Sequence, residues 1–324
     1  MVEYRKEKIM ALDRELAMFE HFELPDFANV AAVRQWLKSL SDQAPPLDGA
    51  LSNGIAISEQ NIPGPANAPP LRIRIYRPAD SGPAPVLLYF HSGSFLMGGL
   101  DTDHVSCLNY ARMAQTMIIS VDYRLAPEHR FPAGVEDCYA ALVWAADNAA
   151  TLGIDSARMA VGGSSAGGTL AAAVAIMTRD RHGPTPLLQL LIYPALDDRM
   201  TSRSVNSVAR QYVDTRAVIG HMWRHYLGGS GIADSPYAAP ARVTDLTALA
   251  PAYIEACELD PLRDEAVDYA MRLLRGGVST ELRVIAGAVH GFEMAASATV
   301  TRWAFRNRTA AIRRAFGISA DETR

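Results

Sequence analysis

Gly163-Ser164-Ser165-Ala166-Gly167 sets a serine between two glycines at the junction of two apolar runs. Met159-Ala160-Val161 precedes it and reads as a strand; the alanine-rich run from Thr169 to Met177 follows and reads as a helix. In a strand–turn–helix context, Gly-x-Ser-x-Gly lifts a serine hydroxyl to the tip of a strained elbow above a sheet end. The glycines leave the crowded turn without Cβ clashes. Only one register fits, because centring the pattern on Ser164 would require glycine at Ala166. The spacing predicts Ser165 as a nucleophile, against the bland alternative of a plain Gly/Ser-rich turn.

A serine hydroxyl is a poor nucleophile at neutral pH and needs a base, which needs a third group to orient it. On α/β sheets with this elbow the chain order is Ser, then Asp or Glu, then His. Asp260, in Glu258-Leu259-Asp260-Pro261-Leu262-Arg263-Asp264-Glu265, follows the apolar run 252–256, and His290, in Ala288-Val289-His290-Gly291-Phe292, follows the run 282–285. Both fall where such sheets collect their sites. Asp264 competes for the acid role, although a carboxylate there also suits a helix start. Of the eight histidines, His21 and His91 precede the nucleophile, and His104, His129 and His182 sit in loops or helix ends. His221 and His225 are four apart on a helical pattern, but Met222 stands where a zinc-protease motif carries glutamate. One oxyanion donor is expected from the Ala166 amide and the others from His91-Ser92-Gly93-Ser94-Phe95, just after the apolar run 86–90.

The elements that must position these residues are read from periodicity. Leu71–Tyr76 alternates and predicts a half-exposed strand. The runs 86–90, 117–121, 187–193, 252–256 and 282–285 predict strands, mostly buried, with helices over 135–146 and 264–275. Strands alternating with helices predict an α/β fold: a mostly parallel sheet covered on both faces. Residues 1–45 read as helix broken near Leu24-Pro25, and 61–70 and 78–85 as loops. Residues 199–250 interrupt the alternation, with Met222, Trp223, Tyr226 and Leu227 on one helix face before Gly228-Gly229-Ser230-Gly231. The expected organisation is an N-terminal helical cap segment over 1–50, a core over 51–198, a cap insertion over 199–245 and the rest of the core over 246–324.

Bulk properties exclude several classes. With 324 residues, 49% hydrophobic and 20% charged, the chain can bury a large core, and a net charge of −4 argues against nucleic acid as a partner. Cys107, Cys138 and Cys257 are scattered and odd in number, which suits neither a metal set nor a disulfide framework. Met1-Val2-Glu3-Tyr4-Arg5-Lys6 does not run into an apolar leader, and no apolar stretch is long enough to span a bilayer. A cytoplasmic location without membrane association is expected.

From about Val86 to Phe292 the chain resembles the bacterial hormone-sensitive-lipase-like family of esterases, of the α/β-hydrolase fold. The resemblance is carried by His91–Phe95, Asp122-Tyr123-Arg124-Leu125-Ala126-Pro127-Glu128, Phe131-Pro132-Ala133 and Gly163–Gly168. Tyr193-Pro194, Asp260–Glu265 and His290-Gly291-Phe292 complete it. It implies carboxylic ester hydrolysis by Ser165, Asp260 and His290 on a small-molecule ester, with no metal or organic cofactor. It implies a cap from the N-terminal helices and the insertion, and a homodimer formed through an edge strand.

The chain departs from the family in two motifs. Its oxyanion loop usually reads His-Gly-Gly-Gly; here Ser92 and Ser94 replace the outer glycines, leaving the Gly93 and Ser94 amides as donors if the loop geometry survives. The residue before the nucleophile is usually Asp and here is Ser164, which removes a carboxylate beside the site. The same machinery on an amide, lactone, carbamate or acetylated compound is the alternative reading. A non-catalytic receptor on this fold is a further one, disfavoured because His290 is present.

Overall fold

A computed structural model describes residues 11–43, 49–66, 68–79, 82–207, 215–229 and 235–319. The readings placed on Met1–Lys6 and on Ser230-Gly231 lie outside the described residues. One eight-stranded sheet organises the rest, in the order β1-β2-β4-β3-β5-β6-β7-β8. The strands are β1 (Ile55–Ile62), β2 (Leu71–Pro78), β3 (Ala84–Phe90), β4 (Met117–Val121), β5 (Ile154–Ser164), β6 (Gln189–Ile192), β7 (Ala252–Cys257) and β8 (Thr280–Ile285). β1 and β2 are antiparallel to their neighbours, and all pairings from β4 to β8 are parallel. The helices are α1 (Val30–Gln43), α2 (Gly49–Ser52), α3 (His104–Ala114), α4 (Ala133–Asp147), α5 (Ala149–Leu152) and α6 (Ala166–Asp180). They continue with α7 (Arg203–Ser207), α8 (Thr215–Leu227), α9 (Arg263–Arg275) and α10 (Thr299–Ala315).

Strand periodicity divides the core into two layers. Val86, Leu88 and Phe90 of β3 face a cluster built from α4, α6 and α9. Leu87 and Tyr89 face the other way, into a cluster with α3 and α10. Because both sides are covered, every residue of β3 is buried, which explains its unbroken apolar run. α6 lies so deep that every residue from Ala166 to Thr178 is buried, and alanine lets it approach the sheet.

Three elements differ from the sequence expectation. Leu71–Tyr76 is not half-exposed: Ile73, Ile75 and Tyr76 are buried, and even Arg74 is only 9% exposed. β2 is an interior strand, and the Arg74 guanidinium is covered by Glu59 at 2.5 Å, Asp101 at 2.8 Å and the Leu100 carbonyl at 3.2 Å. β1 carried no apolar signal because six consecutive residues, Ala56–Asn61, are exposed; pairing along β2 makes it a strand. The N-terminal segment is broken as expected, but its first piece, Arg14–His21, is a 3-10 helix. Its Leu16 and Phe19 join the α3/α10 layer rather than the layer above the sheet end.

Among the described residues, α10 delivers the one fully buried guanidinium. Arg308 is 1% exposed and pairs with Glu255 of β7 and, at 2.6 Å, with Glu293. Removing one partner of a buried pair strands the other charge. Arg308→Ala is therefore expected to lower unfolding free energy by about 3–5 kcal/mol in urea titrations. Lys38→Ala, which breaks the exposed Lys38–Asp42 pair, is expected to cost less than about 0.5 kcal/mol. Equal costs would contradict this account of the core.

Candidate active site

β3 and β5 run parallel with Phe90 opposite Gly163. That register sets the loop after β3 beside the turn after β5. The packing there is extreme: a Cβ on Gly163 would lie 2.4 Å from the Phe90 carbonyl oxygen, and one on Gly167 only 1.9 Å from it. Neither position admits a side chain without moving backbone. Ser165 caps α6 with φ 55° and ψ −120°, a conformation that L residues avoid. Its amide donates to the Ile192 carbonyl at 2.9 Å, which pins the turn to β6.

β7 and β8 are parallel neighbours, with Cys257 opposite Ile285. Their following loops are zipped together: the Leu259 amide donates to the Ala288 carbonyl at 2.9 Å, and the Gly287 amide to Glu258 at 2.8 Å. Asp260 and His290 meet across this zipper. Asp260, 1% exposed, accepts from the Leu262 amide at 2.9 Å with Oδ1 and from His290 Nδ1 at 2.7 Å with Oδ2. Since Nδ1 donates to the carboxylate, Nε2 is the acceptor face of the ring. It stands 2.9 Å from Ser165 Oγ. Burial opposes charging of His290, but the Asp260 charge and hydrogen bond, with Glu293 behind them, outweigh it and raise its pKa above the ordinary value. The ring also rests on Tyr193, centroids 4.6 Å apart, whose hydroxyl donates to Glu293 at 2.8 Å.

The structure thus brings Ser165, His290 and Asp260 into one line, and sets Gly93 and Ser94 on the neighbouring loop and Ala166 at the start of α6. Among the described residues, no backbone carbonyl accepts from the amides of Gly93 or Ser94. Gly93 holds φ 123°, and a Cβ there would lie 2.0 Å from the Met97 carbonyl oxygen. Ser94 and Phe95 hold φ 56° and 62°, so serine occupies a left-handed position that glycine would take more easily. The loop keeps its turn, closed by Leu96 and Met97 amides donating to the Gly93 carbonyl at 2.9 and 3.0 Å.

The competing residues go elsewhere. Asp264 begins α9 and accepts from the Ser204 amide at 2.8 Å. His221 Nδ1 lies 3.2 Å from the Arg224 guanidinium, and His225 Nε2 lies 3.1 Å from the Phe27 carbonyl. His91 is fully buried, stacked on Tyr123 with centroids 4.1 Å apart, and burial pulls its pKa to about 4. Sequence reasoning gave no role to Tyr193, Glu293, Arg308 or Asp103. An arginine on the apolar stripe Ala304, Phe305, Arg308, Ala311, Ile312 was the available signal for the buried charge pair.

A serine elbow, a histidine and an acid at the ends of parallel strands define the α/β-hydrolase class, and the alpha/beta hydrolase fold family matches residues 87–294, more than half of the chain. The chain belongs to the hormone-sensitive-lipase-like family of esterases within that class. It is 40% identical over 244 residues to the carboxylic ester hydrolase LipN of Mycobacterium tuberculosis, covering 74% of this chain and 64% of that relative's length. With esterase LipI of the same organism it shares 40% identity over 269 residues, 81% of each chain. The solved structure of a bacterial heroin esterase superimposes with a TM-score of 0.90 at 39% identity, over 94% of this chain and 98% of that one. Membership brings the enzyme class with it, carboxylesterase.

The strain at Ser165 gives a stability test. Ser165→Gly relieves the positive φ while Ser165→Ala keeps it, so the glycine variant is expected to be the more stable of the two by about 1 kcal/mol. Gly167→Ala is expected to lose about 3 kcal/mol or more, at or beyond the upper end for overpacked sites. Thermal melts of the three variants check both; an alanine variant as stable as Ser165→Gly would contradict a strained elbow.

Proposed function

We propose that the protein hydrolyses small to medium carboxylic esters through an acyl-enzyme formed on Ser165. The observation that carries the reading is the unbroken chain from Asp260 Oδ2 to His290 Nδ1 at 2.7 Å and from His290 Nε2 to Ser165 Oγ at 2.9 Å. His290 takes the hydroxyl proton as Oγ attacks the ester carbonyl. Asp260 holds the ring in the tautomer with Nε2 bare and offsets the imidazolium charge. The Gly93, Ser94 and Ala166 amides receive the oxyanion. The imidazolium then protonates the leaving alcohol, water enters, and the same base activates it to release the acid.

The N-terminal helix and the insertion act as the cap. Phe27 and Val33 cluster with Leu96, Met97 and Ala126 beside the oxyanion loop, with Val218 of α8 against them. Phe95 stacks on Tyr226 of α8, centroids 3.9 Å apart. Arg34 of α1 donates to the Leu96 carbonyl at 2.8 Å and to Glu128 at 2.7 Å. These contacts support a pocket walled by both segments. No described helix is long and apolar enough to cross a membrane.

A p-nitrophenyl ester series from acetate to dodecanoate tests the reading. Turnover is expected to peak at short chains, and Ser165→Ala or His290→Ala to lower kcat by about 10⁴–10⁶. Activity surviving in Ser165→Ala would sink the nucleophile assignment. Side-by-side rates on a matched anilide decide between ester and amide as the preferred bond. The pH profile is a separate test. A protonated His290 cannot accept the hydroxyl proton, so kcat/KM is expected to fall as pH drops through a midpoint above the ordinary imidazole value of about 6.5. The stability that the His290–Asp260 pair contributes runs the other way: full below the ordinary value, lost as pH rises through the raised one. An acid limb lying well below the ordinary value would contradict the coupling to Asp260.

A further inference from the structure

The family's carboxylate before the nucleophile is absent here, yet the position is not left without one. Asp103, at the start of α3, turns its side chain away from its own helix: it makes no capping hydrogen bond there. Its Oδ2 accepts from the Ser92 amide at 2.7 Å and lies 3.3 Å from Ser164 Oγ. Oδ1 lies 3.5 Å from Ser92 Oγ. Tyr89 lies 3.2 Å from Ser164 Oγ, so the hydroxyls run Tyr89 to Ser164 to Asp103. One carboxylate thereby grips the oxyanion loop by its backbone and the elbow by the residue before the nucleophile. Of the three serines that depart from the family pattern, it holds two, Ser92 and Ser164.

We propose that Asp103 is a positioning residue for the reaction, fixing the Gly93–Ser94 amides against Ser165 by bridging Ser92 and Ser164. The proposal rests on the reaction read above. A role in stability alone does not account for it. Burial pushes the Asp103 carboxyl up to about 6; the Ser92 amide opposes that shift, and the charge of Glu293 adds to it. A raised carboxyl favours folding when protonated, and that contribution is lost as pH rises through about 6. At pH 8 the ionised group is held at a cost to the fold. Nor does the helix need this side chain, because a cap calls for an oxygen aimed at its own first-turn amides. The geometry aims it at the loop instead.

The experiment separates bridge from cap by using Asp103→Asn, Asp103→Ser and Asp103→Ala, with Ser165→Ala alongside, on p-nitrophenyl acetate at pH 8. Asparagine keeps an oxygen at the length needed to accept from the Ser92 amide. Serine is a good helix cap but its oxygen stops short of Ser92. Removal of an oxyanion donor costs about 10²–10³ in kcat, so displacing donors is expected to cost about 10–100-fold. Asp103→Ser and Asp103→Ala are expected to lose that much kcat with KM within about twofold. Asp103→Asn is expected to recover most of the loss, and Asp103→Ser serves as the test if Asp103→Ala does not fold. Serine recovering activity as well as asparagine, a change confined to KM, or wild-type kcat in all three would each overturn the proposal while leaving the Ser165 reading intact. Undiminished turnover in Ser165→Ala would remove both together.

Discussion

The site depends on how closely the end of β3 approaches the start of α6. The Phe90 carbonyl lies where a Cβ of either Gly163 or Gly167 would be, at 2.4 and 1.9 Å. That contact exists because β3 and β5 are adjacent parallel strands paired at Phe90 and Gly163. It sets the distance between the loop bearing Gly93 and Ser94 and the turn bearing Ser165. A single added carbon would part them. The two glycines of the elbow are thus less about turn flexibility, since neither has a positive φ, than about letting two backbones touch.

Around that contact the backbone is held in rare conformations. Gly93, Ser94, Phe95, Ser165, Tyr193 and Gly291 all have positive φ, and four of these six carry side chains. Each of the four with a side chain costs about 1–3 kcal/mol and persists only where its surroundings leave no alternative. The surroundings here are rigid: two fully packed layers, the zipper between the loops after β7 and β8, and a charge network anchored on Arg308. Tyr193 links these, resting on the His290 ring and reaching Glu293 with its hydroxyl.

Much of this was legible in the sequence. Ser165, Asp260 and His290 announced themselves because each sits just past an apolar strand in a fixed order. The interior strands were legible because burial on both faces leaves unbroken apolar runs. What escaped were features whose signal is polar. β1 exposes most of its length and is a strand only through pairing with β2. Arg74 alternates with apolar residues and so reads as solvent-facing, yet is covered by carboxylates from two distant segments. Asp103 stands two residues after Asp101, outside the strands and helices read from periodicity. Its partners, eleven and sixty-one positions away, come together only through the sheet order.

One clasp lies far from the elbow in sequence. The Asp13 amide donates to the Gly287 carbonyl at 3.0 Å, and the Thr299 amide donates to Glu15. Residues near the beginning of the chain thus buttress the loop that carries His290, near its end. In ribosomal synthesis the segment 13–16 emerges long before the strand and loop it must grip. It has no place to dock until β8 and its following turn exist. The outer half of this support needs residue 299 itself: a chain cut short before it keeps Glu15 and the Asp13–Gly287 bond but lacks the Thr299 amide that the carboxylate holds.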